Sequence, residues 1–173
     1  MADILRGPAV AVCGPSAPRD KDLAAARKVG RLLADRGATV ICGGRGGAMA
    51  AAAAGARERG GFVVGILPGS DPDEAGSDIQ VAIATGLGDM RNCLIARSAE
   101  AMIAIGGGFG TLSEIAFALV LGKPVVGIDT WQLQPPPGGA IASSAVHAAQ
   151  SAEEAVDWAL DQVPSVVSSK AAG

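Results

Sequence analysis

The stretch GGGFGTLSE, residues 106–114, has four glycines among its first five residues. Glycine lets the backbone adopt φ > 0, and its missing Cβ leaves room for a ligand to approach the chain. A helix-like pattern follows, and the free N–H groups and partial positive charge of a helix start favour phosphate. The stretch predicts an anion-binding loop, although a tight strand-to-helix turn would also use glycine. The residues of this loop are Gly107, Gly108, Phe109, Gly110 and Thr111.

Glu114, at the end of this stretch, has two interpretations. Thr111 and Glu114 have the T-x-x-E spacing of a capping box, in which the two side chains satisfy backbone N–H groups at a helix start. A carboxylate at the same place could instead stabilise a developing positive charge or orient water in a cleft. The residues alone leave both roles open.

Arg91 lies in the first turn of another predicted helix, where a cation is mildly unfavourable against the helix dipole. This placement indicates an anionic partner. If the fifth strand of the predicted sheet lies beside the fourth, the helices that carry Arg91 and Glu114 begin side by side at one edge of the sheet. We then expect the two side chains to face the same cleft.

The standard nucleotide-binding motifs are absent from the sequence. GxGxxG fails because the sixth position counted from Gly106 is Thr111, and no acidic residue for a ribose follows the second strand. The only Gly-Lys pair, Gly122-Lys123, is followed by proline, which excludes a Walker loop.

The elements that position these residues alternate between strand and helix along the chain. Strands that are apolar throughout and separated by helices predict a single doubly wound, mostly parallel, Rossmann-like α/β sheet with helices on both faces. We predict one domain over residues 1–165 and a flexible tail over 166–173. The predicted strands are 8–14, 38–44, 61–68, 79–86, 101–107, 124–129 and 141–148, and the predicted helices are 20–36, 47–59, 89–98, 111–121 and 152–162.

Sheets of this kind bind ligands outside the carboxyl ends of their strands. Four glycine-rich loops fall at that edge, which makes the prediction of a ligand site there stronger than any single loop does. The first two of these loops supply further candidate ligand contacts, namely Gly14, Ser16, Gly44 and Arg45.

Composition narrows the function further. The net charge of −3 without a basic tract argues against nucleic-acid binding, and no apolar run reaches the roughly 18 residues of a membrane span. Three scattered cysteines and the single His147 do not have zinc-site spacing, so we predict no metal site. The odd cysteine count and the lack of a signal-like start favour the cytoplasm.

The segment GLGDMRNCLIARSAEAMIAIGGGFGTLSE, together with AVCGPS and CGGRGGAMAAAAAGA, resembles the LOG (LONELY GUY) superfamily and its molybdenum-cofactor carrier relatives. LOG enzymes carry a PGGxGTxxE signature and an Arg-Lys pair. They hydrolyse the N-glycosidic bond of cytokinin riboside 5′-monophosphates. The resemblance implies that Glu114 and Arg91 are catalytic and that residues 107–111 hold the phosphate. It also implies that hydrolysis requires no cofactor and that the chain forms a homodimer or homotetramer, for which two helices poor in polar surface (47–60 and the one after Thr111) are candidates.

Two positions depart from the LOG pattern, since Gly106 replaces its proline and Asn92 its lysine. These residues are closer to the carrier-like branch, whose members bind a pterin phosphate. The sequence therefore predicts a nucleoside 5′-monophosphate phosphoribohydrolase first. The alternative is a non-catalytic molybdenum cofactor carrier, in which Arg91 and Asn92 contact the ligand. A purely structural domain is a third possibility.

Overall fold

The structure is a computed structural model that describes residues 7–133 and 146–163. Its strands form one parallel seven-stranded sheet in the order β4-β3-β2-β1-β5-β6-β7, which confirms the predicted α/β fold. The strands are β1 (Ala9–Cys13), β2 (Thr39–Cys42), β3 (Phe62–Leu67), β4 (Val81–Ala84), β5 (Ala101–Ile105), β6 (Val125–Ile128) and β7 (His147–Ala149).

Within the described ranges, five α-helices cover the two faces of the sheet. They are α1 (Asp20–Asp35), α2 (Ala48–Glu58), α3 (Asn92–Ser98), α4 (Phe109–Val120) and α5 (Ala152–Asp161), with short 3-10 turns at Pro72–Glu74 and Gly88–Arg91. The central strands are apolar throughout because both of their faces are buried. The buried side chains form two clusters, one on each side of the sheet.

The condition that the fifth strand lies beside the fourth is not met. β5 pairs with β1 and β6, whereas β4 is the outer neighbour of β3. After β4 the chain crosses back to the centre of the sheet, and the strand order reverses between β1 and β5. Loops that leave these two strands in opposite directions open a crevice at their carboxyl ends.

The proposed capping box is also wrong. Helix α4 begins at Phe109 with Gly108 as its N-cap, so Thr111 is the third helical residue and Glu114 the sixth. No side chain of the described residues caps this helix, and both Thr111 and Glu114 are buried. The helix begins two residues earlier than the predicted Thr111, which leaves Glu114 too far along it to reach the N-cap.

Two other predicted boundaries differ from the structure. The predicted helix over 89–98 consists of the 3-10 turn ending at Arg91 followed by α3. The last predicted strand begins only at His147, and its residues 141–145 lie outside the described part of the chain. The tail predicted over 166–173 also lies outside it.

Candidate phosphate-binding cleft

A cleft of about 500 Å³ opens at the carboxyl ends of β1 and β5, where the strand order reverses. The loop after β1, the start of α2, the 3-10 turn before α3 and the start of α4 form its walls. Its lining residues are Gly14, Pro15, Ser16, Ala17, Met49, Asp89, Arg91, Asn92, Gly107, Gly108, Phe109, Gly110, Thr111 and Glu114.

Two of the four loop glycines are required by the fold. Gly106 has φ of +59°, a conformation that proline cannot adopt, and its N–H donates to the carbonyl oxygen of Ile128 over 2.9 Å. A Cβ on Gly107 would lie 2.8 Å from the indole ring of Trp131. The glycine that replaces the LOG proline therefore corresponds to a loop conformation that proline would break.

The other two glycines, Gly108 and Gly110, are not explained by packing. Apart from chain neighbours and the backbone of the same helix, a Cβ on either residue would meet no atom of the described chain within 4 Å, and neither residue has a positive φ. Both line the cleft. Their missing side chains leave open space directly at the N-terminus of α4.

Arg91 and Glu114 meet in the cleft despite the different strand order, because the helix that follows the crossover packs against α4. A guanidinium nitrogen of Arg91 lies 3.5 Å from Oε1 of Glu114, and both side chains are less than 10% exposed. Gly43, directly after β2, makes room for the pair, since a Cβ there would lie 2.7 Å from the Arg91 guanidinium.

The pKa of Glu114 is raised to about 7 by burial, while the positive charge of Arg91 and the thiol of Cys13 partly offset this rise. Burial and the Glu114 carboxylate in turn raise the pKa of Cys13 well above its usual value. Glu114 therefore changes its protonation state near neutral pH, whereas Cys13 stays a thiol there.

Asn92 is fixed within a chain of side-chain hydrogen bonds. Its Oδ1 accepts from the Arg91 guanidinium, and its Nδ2 donates to Oγ of Ser113 over 2.7 Å. The Ser113 hydroxyl donates to the carbonyl oxygen of Gly110, also over 2.7 Å. Asn92 thus ties Arg91 to the first turns of α4.

Two buried donors on the cleft wall, Thr111 Oγ1 and Arg91 Nε, have no hydrogen-bond partner within the described part of the chain. Buried polar groups in proteins are nearly always paired, so a pair of orphaned donors beside a helix N-terminus is typical of a site that receives an acceptor-rich ligand.

Of the predicted contacts in the first two rim loops, Gly14 and Ser16 line the cleft and Gly44 and Arg45 do not. The Arg45 guanidinium instead lies 4.0 Å from the Glu74 carboxylate. Sequence reasoning missed Asp89 and Cys13, although Asp89 directly precedes Met90-Arg91 and Cys13 directly precedes Gly14.

The described residues also bear on metal binding and on membrane spans. In 7–133 and 146–163 no group of three or more His, Cys, Asp or Glu side chains could hold a metal ion. No helix within these ranges has the length and apolar character needed to cross a membrane.

A family model described as the SLOG cluster4 family matches residues 8–159. A protein from Archaeoglobus fulgidus is 41% identical over 135 residues, which cover 78% of this chain and 83% of that protein. A cytokinin riboside 5′-monophosphate phosphoribohydrolase from Mycobacterium tuberculosis is 34% identical over 128 residues, covering 69% of this chain and 68% of the relative.

Solved structures show the same fold. The molybdenum cofactor carrier protein from Chlamydomonas reinhardtii superposes with a TM-score of 0.78 at 33% sequence identity, over 91% of this chain and 98% of that one. The similarity therefore extends both to a hydrolase and to a carrier.

Proposed function

Because the chain belongs to the SLOG cluster4 family, within the LOG and molybdenum-cofactor carrier superfamily, we propose that its cleft binds a small phosphorylated molecule by the phosphate. The observation that carries this proposal is the open space at Gly108 and Gly110. Glycine inside a helix costs roughly 0.5–1 kcal/mol relative to alanine, and Gly110 lies in the first turn of α4. A ligand that needs the space accounts for a glycine that packing does not require.

The donors available at this point suit a phosphate group. The first N–H groups of α4 have no partner within the helix, and the orphaned Thr111 hydroxyl lies in the same turn. The orphaned Nε of Arg91 adds a cationic donor on the facing wall. A phosphate oxygen accepting from these groups would satisfy buried polar atoms that have no partner within the described part of the chain.

We infer that the ligand is a phosphorylated pterin of the molybdenum-cofactor type, bound without hydrolysis. Asn92, at the position of the LOG lysine, uses both ends of its amide within the protein and adds no cation to the cleft. Glu114 is only 3% exposed and has a pKa of about 7, so a large share of it is neutral at pH 7. Both features weaken the electrostatic support that a developing positive charge on a ribose requires.

The second candidate function is a nucleoside 5′-monophosphate phosphoribohydrolase, and the Arg91–Glu114 pair favours it. In this reaction water adds to the anomeric carbon as the N-glycosidic bond breaks, and the base leaves with a proton. An ionised Glu114 would stabilise the oxocarbenium-like transition state and orient the water, and Arg91 would hold the carboxylate in place. The phosphate on α4 would position the reacting carbon through remote binding energy.

Calorimetric titration with inorganic phosphate tests the shared proposal. Gly108→Val fills the open space with a side chain that the backbone accepts (φ −112°), so we expect phosphate binding to be lost while the melting temperature stays close to that of the wild type. Gly46→Val is the matched control, because that glycine is also surrounded by open space but lies outside the cleft lining. Unchanged phosphate affinity in a folded Gly108→Val protein contradicts the proposal.

The two candidate ligands are separated by incubating the wild type with AMP and cytokinin riboside monophosphates and measuring released base. A parallel titration uses molybdenum cofactor. We expect no free base and a phosphate-dependent interaction with the cofactor. Base release that Glu114→Gln abolishes would instead establish the hydrolase function.

A further inference from the structure

Trp131 contacts three consecutive residues of the glycine loop from outside the cleft. Its Nε1 donates to the carbonyl oxygen of Gly108 over 3.2 Å, and its ring lies so close to Gly107 that a Cβ there would be 2.8 Å away. The ring also stacks on Phe109, with centroids 6.0 Å apart at 29°. Trp131 does not line the cleft itself.

The turn that follows β6 has a geometry that brings Trp131 to this place. Asp129 adopts φ of +49°, which is uncommon for a residue with a side chain, and its carboxylate accepts from Nζ of Lys21 over 2.7 Å. Gly127 lets the turn fold back, since a Cβ there would lie 2.2 Å from the Thr130 methyl group. Strained backbone of this kind persists where the surrounding structure over-determines it, and it is concentrated at functional sites.

The hydrogen bond to Gly108 sets the direction of a peptide group at the helix start. The same carbonyl oxygen accepts from the backbone N–H of Leu112 over 3.0 Å as well as from the indole. In a planar trans peptide the C=O and the following N–H point in opposite directions. By holding the Gly108 carbonyl toward itself and the helix, Trp131 directs the Phe109 N–H away from the helix body, where a ligand can accept from it.

We propose that Trp131 is a positioning residue that holds the glycine loop in its anion-accepting conformation; this inference rests on the phosphate-binding function proposed above. It acts through the loop and not by touching the ligand. A residue that only filled space would not need an N–H group directed at the N-cap carbonyl.

The test uses the two tryptophans of the chain separately. Trp158→Phe leaves Trp131 as the single reporter. Trp131→Phe leaves Trp158, which lies in α5 and stacks on His147 of β7. We expect inorganic phosphate, added at constant ionic strength, to change the emission of the Trp158→Phe protein and to leave that of the Trp131→Phe protein unchanged. Chloride is the control anion.

Affinity for inorganic phosphate, measured by calorimetry, gives the second readout. Trp131→Phe keeps an aromatic ring against the loop but loses the N–H donor, so we expect about threefold to tenfold weaker binding, the range of one lost hydrogen bond. Trp131→Ala should bind more weakly still, and Trp158→Phe should match the wild type. Wild-type affinity in both Trp131 variants, with no emission change at Trp131, overturns the inference.

A third measurement needs no ligand. In the Trp158→Phe background, Gly107→Ala pushes a methyl group against the indole and should shift the Trp131 emission, whereas Gly46→Ala should not. If neither the wild type nor any variant binds phosphate by calorimetry, the proposed function fails. The contact between Trp131 and the glycine loop is then judged by this emission shift alone. An unshifted emission in Gly107→Ala contradicts the contact itself.

Discussion

At the scale of single residues, the cleft combines groups that packing explains with groups that it does not. Gly43 and Gly107 are small because Arg91 and Trp131 occupy the space beside them. Gly108 and Gly110 have no such neighbour, and the Thr111 hydroxyl has no partner in the described structure. Residues of this kind indicate a ligand site, because replacing them by residues that packing favours would leave the fold as stable or more stable.

Glu114 leads to a prediction about pH. Its folded-state pKa of about 7 lies above the ordinary value of 4.5, so the folded protein holds the proton more tightly than the unfolded chain does. The stabilisation of the folded state by protonated Glu114 is fully present below pH 4.5 and is lost as the pH rises through about 7. One pKa unit corresponds to about 1.4 kcal/mol, so the change across this window is about 3 kcal/mol.

Glu114→Gln removes this titration while keeping the size of the side chain. We expect the difference in unfolding free energy between wild type and Glu114→Gln to change by about 3 kcal/mol between pH 4.5 and pH 7.5, with the wild type gaining at low pH. Urea unfolding at several pH values measures it. Parallel curves for the two proteins would show that Glu114 is not buried as described.

If the protein is a hydrolase, base release should rise with pH through about 7, where Glu114 ionises.

At the scale of elements, the alanine-rich helix α2, one of the two helices predicted to support self-association, also has a packing role within the monomer. Its small face packs on α1 inside the monomer. A Cβ on Gly55 would lie 2.0 Å from the carbonyl oxygen of Arg27, and one on Gly30 would lie 2.0 Å from that of Ala52. The small residues of α1 and α2 allow the two backbones to approach closely.

This close approach predicts a large cost for one methyl group. Gly55→Ala favours the isolated helix by roughly 0.5–1 kcal/mol, yet it places a methyl group against backbone that cannot move aside. We expect net destabilisation of about 1–3 kcal/mol, the usual cost of overpacking. Thermal or urea unfolding measures it, with Gly46→Ala as a control in open space. A Gly55→Ala protein as stable as the wild type would mean that the helices are further apart.

How far the sequence predicts the structure also depends on the type of element. Buried parallel strands are predicted well because their apolar runs reflect burial on both faces, and the glycine loop because it interrupts that pattern. The order of the strands depends on the crossover after β4, which no local pattern encodes. The role of Trp131 also depends on such a long-range contact, since it follows β6 and meets a loop more than twenty residues earlier.

At the scale of the whole molecule, the most exposed apolar side chains of the described structure include several on helix α4. The outer face of α4 exposes Phe109, Phe117 and Val120, which are 83%, 40% and 84% exposed. Two polar residues of this helix, Thr111 and Glu114, are buried and face the cleft. By contrast, α1 and the residue that follows it, Arg36, form ion pairs with α2 and α5 on the surface.

This contrast favours α4, one of the two helices that the sequence predicts for self-association, as the contact surface. A helix with apolar residues on its outer as well as its inner face is typical of a buried element, and contiguous exposed apolar surface marks interaction sites. We expect the chain to be at least a dimer at micromolar concentration. The double variant Val120→Glu, Phe117→Glu should shift it toward the monomer, because it would bury like charges at the contact. Light scattering measures the mass, and the matched control replaces the exposed Leu23 of α1 by Glu. A wild-type mass of a single 17.0 kDa chain contradicts self-association, and an unchanged oligomer in the α4 variant means that another surface forms the contact.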